Sequence, residues 1–581
     1  MSLDNYQKIY IKRNIRQFSV REIAGNLDVS ENEVLDYLRK RWSPDKYEKF
    51  LRNRMADESA TGQAIKDFSF SNFIRENRLI LSGLAILVLA VYFNSFFNGF
   101  TSDDVQGYTL NDKIGTFKTI FGGSLHFSLQ GLFRDIAYQI GGLHPFTFRI
   151  VNIFFHLGST ILIFTILSLI SKRNIALITA SLFAVHPILI ESVAWISGAP
   201  YSQSAFFFLL SFLFYILSKS NRKYLYYSIA FFILSVFSSE KAIVLFLVFV
   251  AYDMTYYSVK MNWKRILPFF LIGLTLAVFF VAKIGSRVKD VGALSYQGTQ
   301  GLDNPLIQVP IAIVSYLGLI FWPDKLTLYQ TEMSFSRGEF IIIYVIFLLF
   351  IGVLIYTYKK NKSAFFWLLF FIIVLLPTLT PFRISWTVAE RYVYLGTLGI
   401  FVAVAMLADK LASFSVNAKM VVYSILVMAI AGLSVRTIVR NKDWKNEDSL
   451  WFATARVAPS GQNIHNNLGD VYARNGDLVK ALEEFKLATQ INPNYADAYH
   501  NMANTYQQMG QNDEAMKYYQ IAAEINPKLW QSYQNMASIY FDAGDYEAAY
   551  ANIKKALEIN PADPNLQANV KIIEEKLQNK S

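Results

Sequence analysis

Polar and apolar positions divide the chain into three stretches. Residues 1–78 are polar, 79–440 are apolar runs broken by short loops, and 460–581 are polar and repetitive, with 441–459 as a linker. A helix needs about 20 mostly apolar residues to cross a bilayer. Runs that approach this length lie at 79–97, 148–170, 175–190, 200–218, 224–239, 242–258, 266–284, 340–358, 364–380, 394–409 and 418–438. The first lies too deep in the chain, and too many follow it, for a cleaved signal peptide. A further run, 307–322, holds Pro310 and ends in Trp322-Pro323, which suits a re-entrant or interfacial helix. With that segment not crossing, and the amino end cytoplasmic, Lys172/Arg173, Arg222/Lys223, Lys264/Arg265 and Lys359, Lys360 and Lys362 all fall inside. Arg436, Arg440 and Lys442 then lie outside, against the bias. The pattern predicts an all-α fold: a polytopic membrane helical bundle of about 11 spans, flanked by a small amino-terminal helical domain and a carboxyl-terminal solenoid.

The solenoid is written as a period. Pro459, Pro493, Pro527 and Pro561 recur every 34 residues, the tetratricopeptide spacing. The first repeat carries Leu468, Gly469, Tyr472, Ala481, Phe485 and Ala488. The second carries Met502, Ala503, Tyr506, Ala515, Tyr519 and Ala522, and the third Met536, Ala537, Tyr540, Ala549, Ile553 and Ala556. Small residues let paired helices approach, aromatics fill the gap between them, and the charged 564–579 segment fits a polar capping helix. Three such repeats imply binding of an extended peptide or a partner protein.

In the amino segment, Ile23, Leu27, Val34, Leu35 and Leu38 fit two short helices, with Ser30 and Glu33 as a capping box for the second. The turn between them resembles a helix-turn-helix. Glu31, Glu33 and Asp36 against Arg39 and Lys40 leave the would-be recognition helix without a basic face, which argues against DNA and for a protein contact or structural role.

Composition sharpens this picture. The 581 residues are 53% hydrophobic and 17% charged, where a soluble chain carries about a quarter charged residues. The net charge of +11 does not point to nucleic acid once it is divided by region: residues 79–459 hold 30 Lys and Arg against 17 Asp and Glu, so the surplus lies in the apolar block. The chain has no cysteine, which excludes disulfides, thiolate metal sites and thiol nucleophiles.

Four polar insertions fall on the predicted external side. Asp103 and Asp104 follow the first run, at the start of an external loop over 98–147. A carboxylate there suits a general base for a hydroxyl acceptor, or a ligand for a divalent cation; such a pair is also a common loop feature. His186, Glu191 and Trp195 lie in HPILIESVAWISG, Glu240-Lys241 between two apolar runs, and Arg383, Glu390 and Arg391 in PFRISWTVAERYVYL. An ionised group at bilayer depth costs roughly 2.5–3.5 kcal/mol and calls for a partner or a wet cavity. An ion-pair network holding helices together accounts for the charges. A site for a lipid-linked anionic substrate accounts also for the mixture of cations and carboxylates.

From Leu79 to Pro561 the sequence resembles the TMTC family, transmembrane and tetratricopeptide-repeat proteins of the GT-C glycosyltransferase superfamily. The likeness rests on Asp103-Asp104, YQIGGLHPFTFRIVNIFFH, HPILIESVAWISG, DNPL (Asp303–Leu306), WPDKLTLYQ (Trp322–Gln330) and AERYVYL (Ala389–Leu395), followed by the repeats. It departs where the family's Arg-Pro is Phe127-Ser128 and where its Lys-Glu pair is reversed as Glu240-Lys241. The resemblance implies an inverting, polyprenyl-phosphate-sugar-dependent glycosyltransferase moving a sugar, typically mannose, to Ser/Thr hydroxyls of a protein on the external face. Asp103 or Asp104 would then take the acceptor proton. Arg383, Arg391 and Lys241 would bind the donor phosphate, while His186, Glu191, Glu240 and Glu390 would orient these groups or bind sugar. No cofactor is implied; a divalent cation is compatible but not required. The implied partners are the lipid-linked sugar, the bilayer and an acceptor polypeptide held by the repeats. The competing reading is a non-catalytic membrane scaffold whose repeats recruit envelope proteins.

Overall fold

The computed structural model describes residues 3–15, 20–45, 47, 65, 67–111, 113–118, 129–256, 263–293, 304–328, 330, 335–379 and 387–580. Every regular element among them is helical. They fall into two compact units, one holding the amino-terminal helices and most of the apolar residues up to Asn446, and the other holding the repeats from Glu447 onward together with Ser286–Leu302 and Thr327–Ser334.

The first unit opens with α1 (Asn5–Asn14), α2 (Val20–Leu27) and α3 (Glu31–Arg41). The Ser30–Glu33 capping box forms as the sequence predicts, and Ile11, Ile23, Ala24, Val34 and Leu38 make a small core. The apolar helices are α4 (Phe70–Tyr92), α5 (Leu129–Gly141), α6 (Pro145–Ile170), α7 (Arg173–Val185), α8 (Ala199–Leu217), α9 (Lys223–Ser238), α10 (Phe246–Tyr256), α11 (Trp263–Ala293), α12 (Pro305–Phe321), α13 (Arg337–Lys360), α14 (Lys362–Leu375), α15 (Thr397–Ala412) and α16 (Val416–Asn441). Helix α6 lies in the middle and packs against α4, α5, α7 and α8. Helices α8 and α9 approach closely through serines. Ser211 Oγ lies 3.2 Å from Ser228 Oγ and Ser204 Oγ 3.1 Å from Ser235 Oγ, small polar contacts of the kind that join helices in lipid. The outward faces are apolar: Ile341, Leu348 and Leu349 on α13, and Val421, Ile425 and Val427 on α16, are more than half exposed. Such faces suit hydrocarbon rather than water.

The span count differs from the sequence expectation. Five helices are long and apolar enough to cross a membrane: Phe70–Phe97, Pro145–Ile170, Ile196–Leu217, Arg337–Lys360 and Val416–Trp444. A sixth forms if Arg173–Val185 and Pro187–Val193, bent by 56°, act as one broken span. The described residues therefore support five or six such spans rather than about 11. The apolar runs are real but shorter as helices. Pro187 breaks the run at 175–190, a tight 3-10 segment Glu240–Leu245 replaces the start of the run at 242–258, and Lys223–Ser238, Pro305–Phe321 and Lys362–Thr378 fall short of a full crossing.

The second unit contains α17 (Glu447–Val457) and the paired repeat helices α18 (Gln462–Arg474) and α19 (Leu478–Ile491), α20 (Ala496–Gln508) and α21 (Asn512–Ile525), α22 (Trp530–Asp542) and α23 (Tyr546–Ile559), then α24 (Pro564–Lys580). Gly476, Gly510 and Gly544 turn each pair with φ of 82°, 74° and 78°, a backbone region that side chains resist. The periodic small and aromatic positions are the core: Ala503, Ala515, Tyr519, Ala537, Ala549 and Ile553 are all buried together.

Candidate functional site

The site is built where α4 ends. The chain leaves the helix through Phe93–Phe97 and turns sharply at Thr101–Asp104, with Asp104 N donating to Thr101 O at 3.1 Å. Ser102 takes φ of 52°, a left-handed conformation that costs a non-glycine residue about 1–2 kcal/mol. The surroundings hold it there. Asp104 is fully buried; its Oδ1 accepts from Ser197 N at 2.8 Å and Ser197 Oγ at 2.5 Å, and its Oδ2 accepts from Thr101 N at 3.2 Å. Trp195 Nε1 donates to Thr101 O at 3.2 Å.

Beneath this turn sits Arg149, buried on α6, whose guanidinium donates to Ala194 O at 2.7 Å, Asn98 O at 2.6 Å and Gly99 O at 2.9 Å. Asn152, one turn on, donates to Trp195 O at 2.9 Å. The end of α16 closes the other side: Asn98 Nδ2 donates to Asn441 O at 2.8 Å, Gly99 N to Lys445 O at 2.8 Å, and Trp195 and the fully buried Trp444 pack at 5.7 Å between ring centres. The residues 441–446 are thus a wall of this site rather than free linker.

The two aspartates separate in role. Burial pushes the Asp104 carboxyl up to about 6, against the hydrogen bonds from Ser197 and Thr101 and the charge of Arg149. Asp103 is exposed and has no hydrogen bond or ion pair among the described residues. Because burial raises the Asp104 pKa above its value of about 3.9 in an unfolded chain, this group favours the folded state when protonated; that contribution is present below about pH 4 and is lost as pH rises through about 6. The ionised form is the one that accepts from Ser197 and Thr101. The expected outcome is an acid limb in the pH–rate profile with an apparent pKa near 6, and no loss of folded protein across that limb in parallel thermal melts.

The second element is an ion pair reaching across 200 residues. Glu191, fully buried in the turn Ile190–Val193, accepts a hydrogen bond from Arg391 N at 2.8 Å and pairs with the Arg391 guanidinium. The guanidinium also lies over the Trp195 ring at 5.6 Å and the Tyr392 ring at 5.1 Å. Lys241 Nζ sits over the Tyr392 ring at 3.3 Å and donates to Tyr201 OH at 3.1 Å. Two cations, one carboxylate and three aromatic rings are therefore contiguous, and Trp195 links them to the Asp103–Asp104 turn. Gly198 permits this crowding: a Cβ there would overlap the Glu191 carbonyl oxygen. Gly198→Ala is accordingly expected to lower the thermal midpoint and the activity together, because the backbone carrying Glu191 must shift.

The remaining sequence candidates are placed as follows: Glu240 borders the cluster, and the others have partners outside it or lie outside the described residues. His186 uses both ring nitrogens on backbone, Nε2 2.8 Å from Ile320 O and Nδ1 accepting from Ile188 N at 3.2 Å, so it pins the bend at Pro187. Glu390 is fully buried and pairs with Arg440 at 3.2 Å, which also reaches Asp443 at 3.0 Å. Glu240 begins the tight segment that carries Lys241 and is half-buried. Arg383 lies outside the described residues. Conversely, the sequence reading passed over Arg149, Asn152, Ser197 and Trp444. Arg149 and Asn152 carried a signal, since an arginine and an asparagine inside the apolar run 148–170 need buried partners.

Fold and site together define an all-helical membrane protein with a charged, aromatic-lined site at the helix ends and tetratricopeptide repeats after the last apolar helix. Family models match in that last region, as TPR repeat over residues 469–510 and as Tetratricopeptide repeat over 496–529 and 531–563. The chain is a homologue of the TMTC O-mannosyl-transferases. It is 25% identical over 468 residues to human protein O-mannosyl-transferase TMTC3, covering 70% of this chain and 51% of that protein. It is 26% identical to protein O-mannosyl-transferase F38B6.6 of Caenorhabditis elegans (62% and 53% covered) and 23% identical to human protein O-mannosyl-transferase TMTC4 (70% and 65% covered). The chain thus spans about half the length of the first of these relatives. Among solved structures, the crystal structure of MamA aligns with 23% of this chain and 72% of its own at 20% identity and a TM-score of 0.18, too slight a likeness to carry an argument.

Proposed function

We propose that this chain is a membrane protein O-mannosyl-transferase of the GT-C type that uses a polyprenyl-phosphate-mannose donor on the external face. The observation that carries the reading is the continuous cluster of Arg391, Glu191, Lys241 and Trp195 tied to the turn that presents Asp103. In this reading Asp103, exposed and without a partner among the described residues, accepts the proton of a Ser or Thr hydroxyl. The hydroxyl oxygen attacks the anomeric carbon from the face opposite the phosphate, the new C–O bond forms with inversion, and the old one breaks. The electron pair leaves with the polyprenyl phosphate. Charge grows on that phosphate during the step, so the fixed cations Arg391 and Lys241 favour the transition state over the ground state. Asp104 positions the turn and does not react. The repeats present the acceptor polypeptide.

The supporting experiment compares transfer of labelled mannose by membranes carrying wild type, Asp103→Asn and Asp104→Asn. Loss of transfer with Asp103→Asn supports the reading. Undiminished transfer in both variants overturns the assignment of the base, and transfer no greater than in membranes lacking the chain overturns the reading and favours the scaffold, whose function depends on the repeats alone.

A further inference from the structure

Three hydrogen-bond donors converge around the ring of Tyr392. Lys241 Nζ lies 3.3 Å and the Arg391 guanidinium 5.1 Å from the ring centre, and the Tyr201 ring packs against it at 6.0 Å. Tyr201 stands in the first turn of α8 and is half-buried. Its hydroxyl oxygen accepts from Lys241 Nζ at 3.1 Å, so its proton points elsewhere, and that proton has no acceptor among the described residues. Arg391 also has donors to spare. Its Nη1 pairs with Glu191, while Nε and Nη2 have no acceptor among the described residues, and the side chain is 11% exposed. We propose that Tyr201 is a third catalytic donor, hydrogen-bonded to the phosphate oxygen that leaves the anomeric carbon. This rests on the sugar-transfer reading above and adds to its two cations the neutral group that completes the leaving-group site.

Geometry and donor type carry the assignment. An oxygen at ordinary hydrogen-bond distance from both Lys241 Nζ and Tyr201 OH closes a triangle on their 3.1 Å edge, so a group held by the lysine also meets the hydroxyl. The acceptors at this edge are taken. Arginine and lysine cannot accept, the Tyr201 oxygen faces Lys241, Glu191 is spent on Arg391, and Glu240 has a partner of its own. An ionised phosphate oxygen, which only accepts, matches such an edge better than a sugar hydroxyl, which also donates. The place along the chain fits as well. Ser197, which holds Asp104, precedes Tyr201 by four residues, about one helical turn. That spacing leaves room for the anomeric carbon between the turn presenting Asp103 and the hydroxyl that receives the leaving oxygen. As the C–O bond breaks, its electron pair passes to the phosphate oxygen. Tyr201 hydrogen-bonds that growing charge and keeps its own proton.

The test uses the purified full chain in lipid nanodiscs with polyprenyl-phosphate-mannose as donor. Tyr201→Phe removes the hydroxyl and keeps the ring beside Lys241 and Tyr392. It is expected to lower kcat by roughly 10- to 100-fold. The KM for donor is expected to stay within about threefold, since an interaction made mainly in the transition state appears in kcat. Product inhibition by polyprenyl phosphate is expected to weaken along with kcat, because the product carries the charge that the hydroxyl meets. Tyr201→Met, a flexible filler of similar reach, is the second variant should Tyr201→Phe not fold, with the same expected split. Unchanged kcat in a folded variant would overturn the proposal. So would a loss of rate with product inhibition unchanged, because the hydroxyl would then act only by holding Lys241. If wild type transfers no sugar at all, the reaction itself is misread, and the hydroxyl is then judged by direct binding of polyprenyl phosphate: weaker binding to Tyr201→Phe supports it, and equal binding overturns it.

Discussion

Asparagine at position 103 is expected to cut the turnover of sugar transfer by about 10²- to 10⁴-fold, the usual contribution of a positioned general base. The KM for donor and acceptor is expected to stay within about threefold, because the amide keeps the size and most of the polarity of the carboxylate. Stability is expected not to change. Asp103 is exposed and has no partner among the described residues, so none of the described contacts depends on its charge. Asp104→Asn is a different perturbation. It turns one of the acceptor oxygens facing Ser197 or Thr101 into a donor, so its loss of rate comes with a lower thermal midpoint. Separate measurement of kcat and melting for the two variants distinguishes a base from a positioning residue.

Arg391→Leu carries the second large effect. It leaves Glu191, fully buried, with only the backbone N–H of residue 391 among the described residues in place of a guanidinium. Removing one partner of a buried ion pair typically costs about 3–5 kcal/mol, mostly as the penalty of the stranded charge. Pairing it with Glu191→Gln removes that stranded charge, so the double variant is expected to melt closer to wild type than Arg391→Leu alone. Activity is not expected to return, since the cation is still missing. Thermal unfolding of the purified single and double variants checks the first half, and sugar transfer the second. Recovery of both stability and transfer would mean that the pair only joins helices.

The parts of this molecule that were legible in its sequence are those encoded by local period. Prolines 34 residues apart announce the repeats, and the Ala and aromatic positions between them become the buried core. The apolar runs announce a membrane protein, but run length misjudges helix length. Pro187 bends one run by 56°, and the tight segment at Glu240–Leu245 shortens another. The site is legible in its charges and not in its pairings. Glu191 and Arg391 each stand out beside apolar sequence, while their union depends on a packing of two turns that no local pattern specifies. Glu390 is the converse case: adjacent to Arg391 in sequence, it turns toward Arg440 and away from that pair. Nor does sequence separate two neighbouring aspartates. That division depends on the left-handed Ser102 and on Ser197, which together bury one carboxylate and expose the other.

The most direct measurement follows labelled mannose from polyprenyl-phosphate-mannose to a Ser/Thr-containing polypeptide, using the purified full-length chain in liposomes. The account predicts alkali-labile label on the polypeptide, with the anomeric configuration inverted relative to the donor, and its loss in Asp103→Asn. Folded wild-type protein that transfers no label, or an Asp103→Asn variant that transfers as much as wild type, would contradict it.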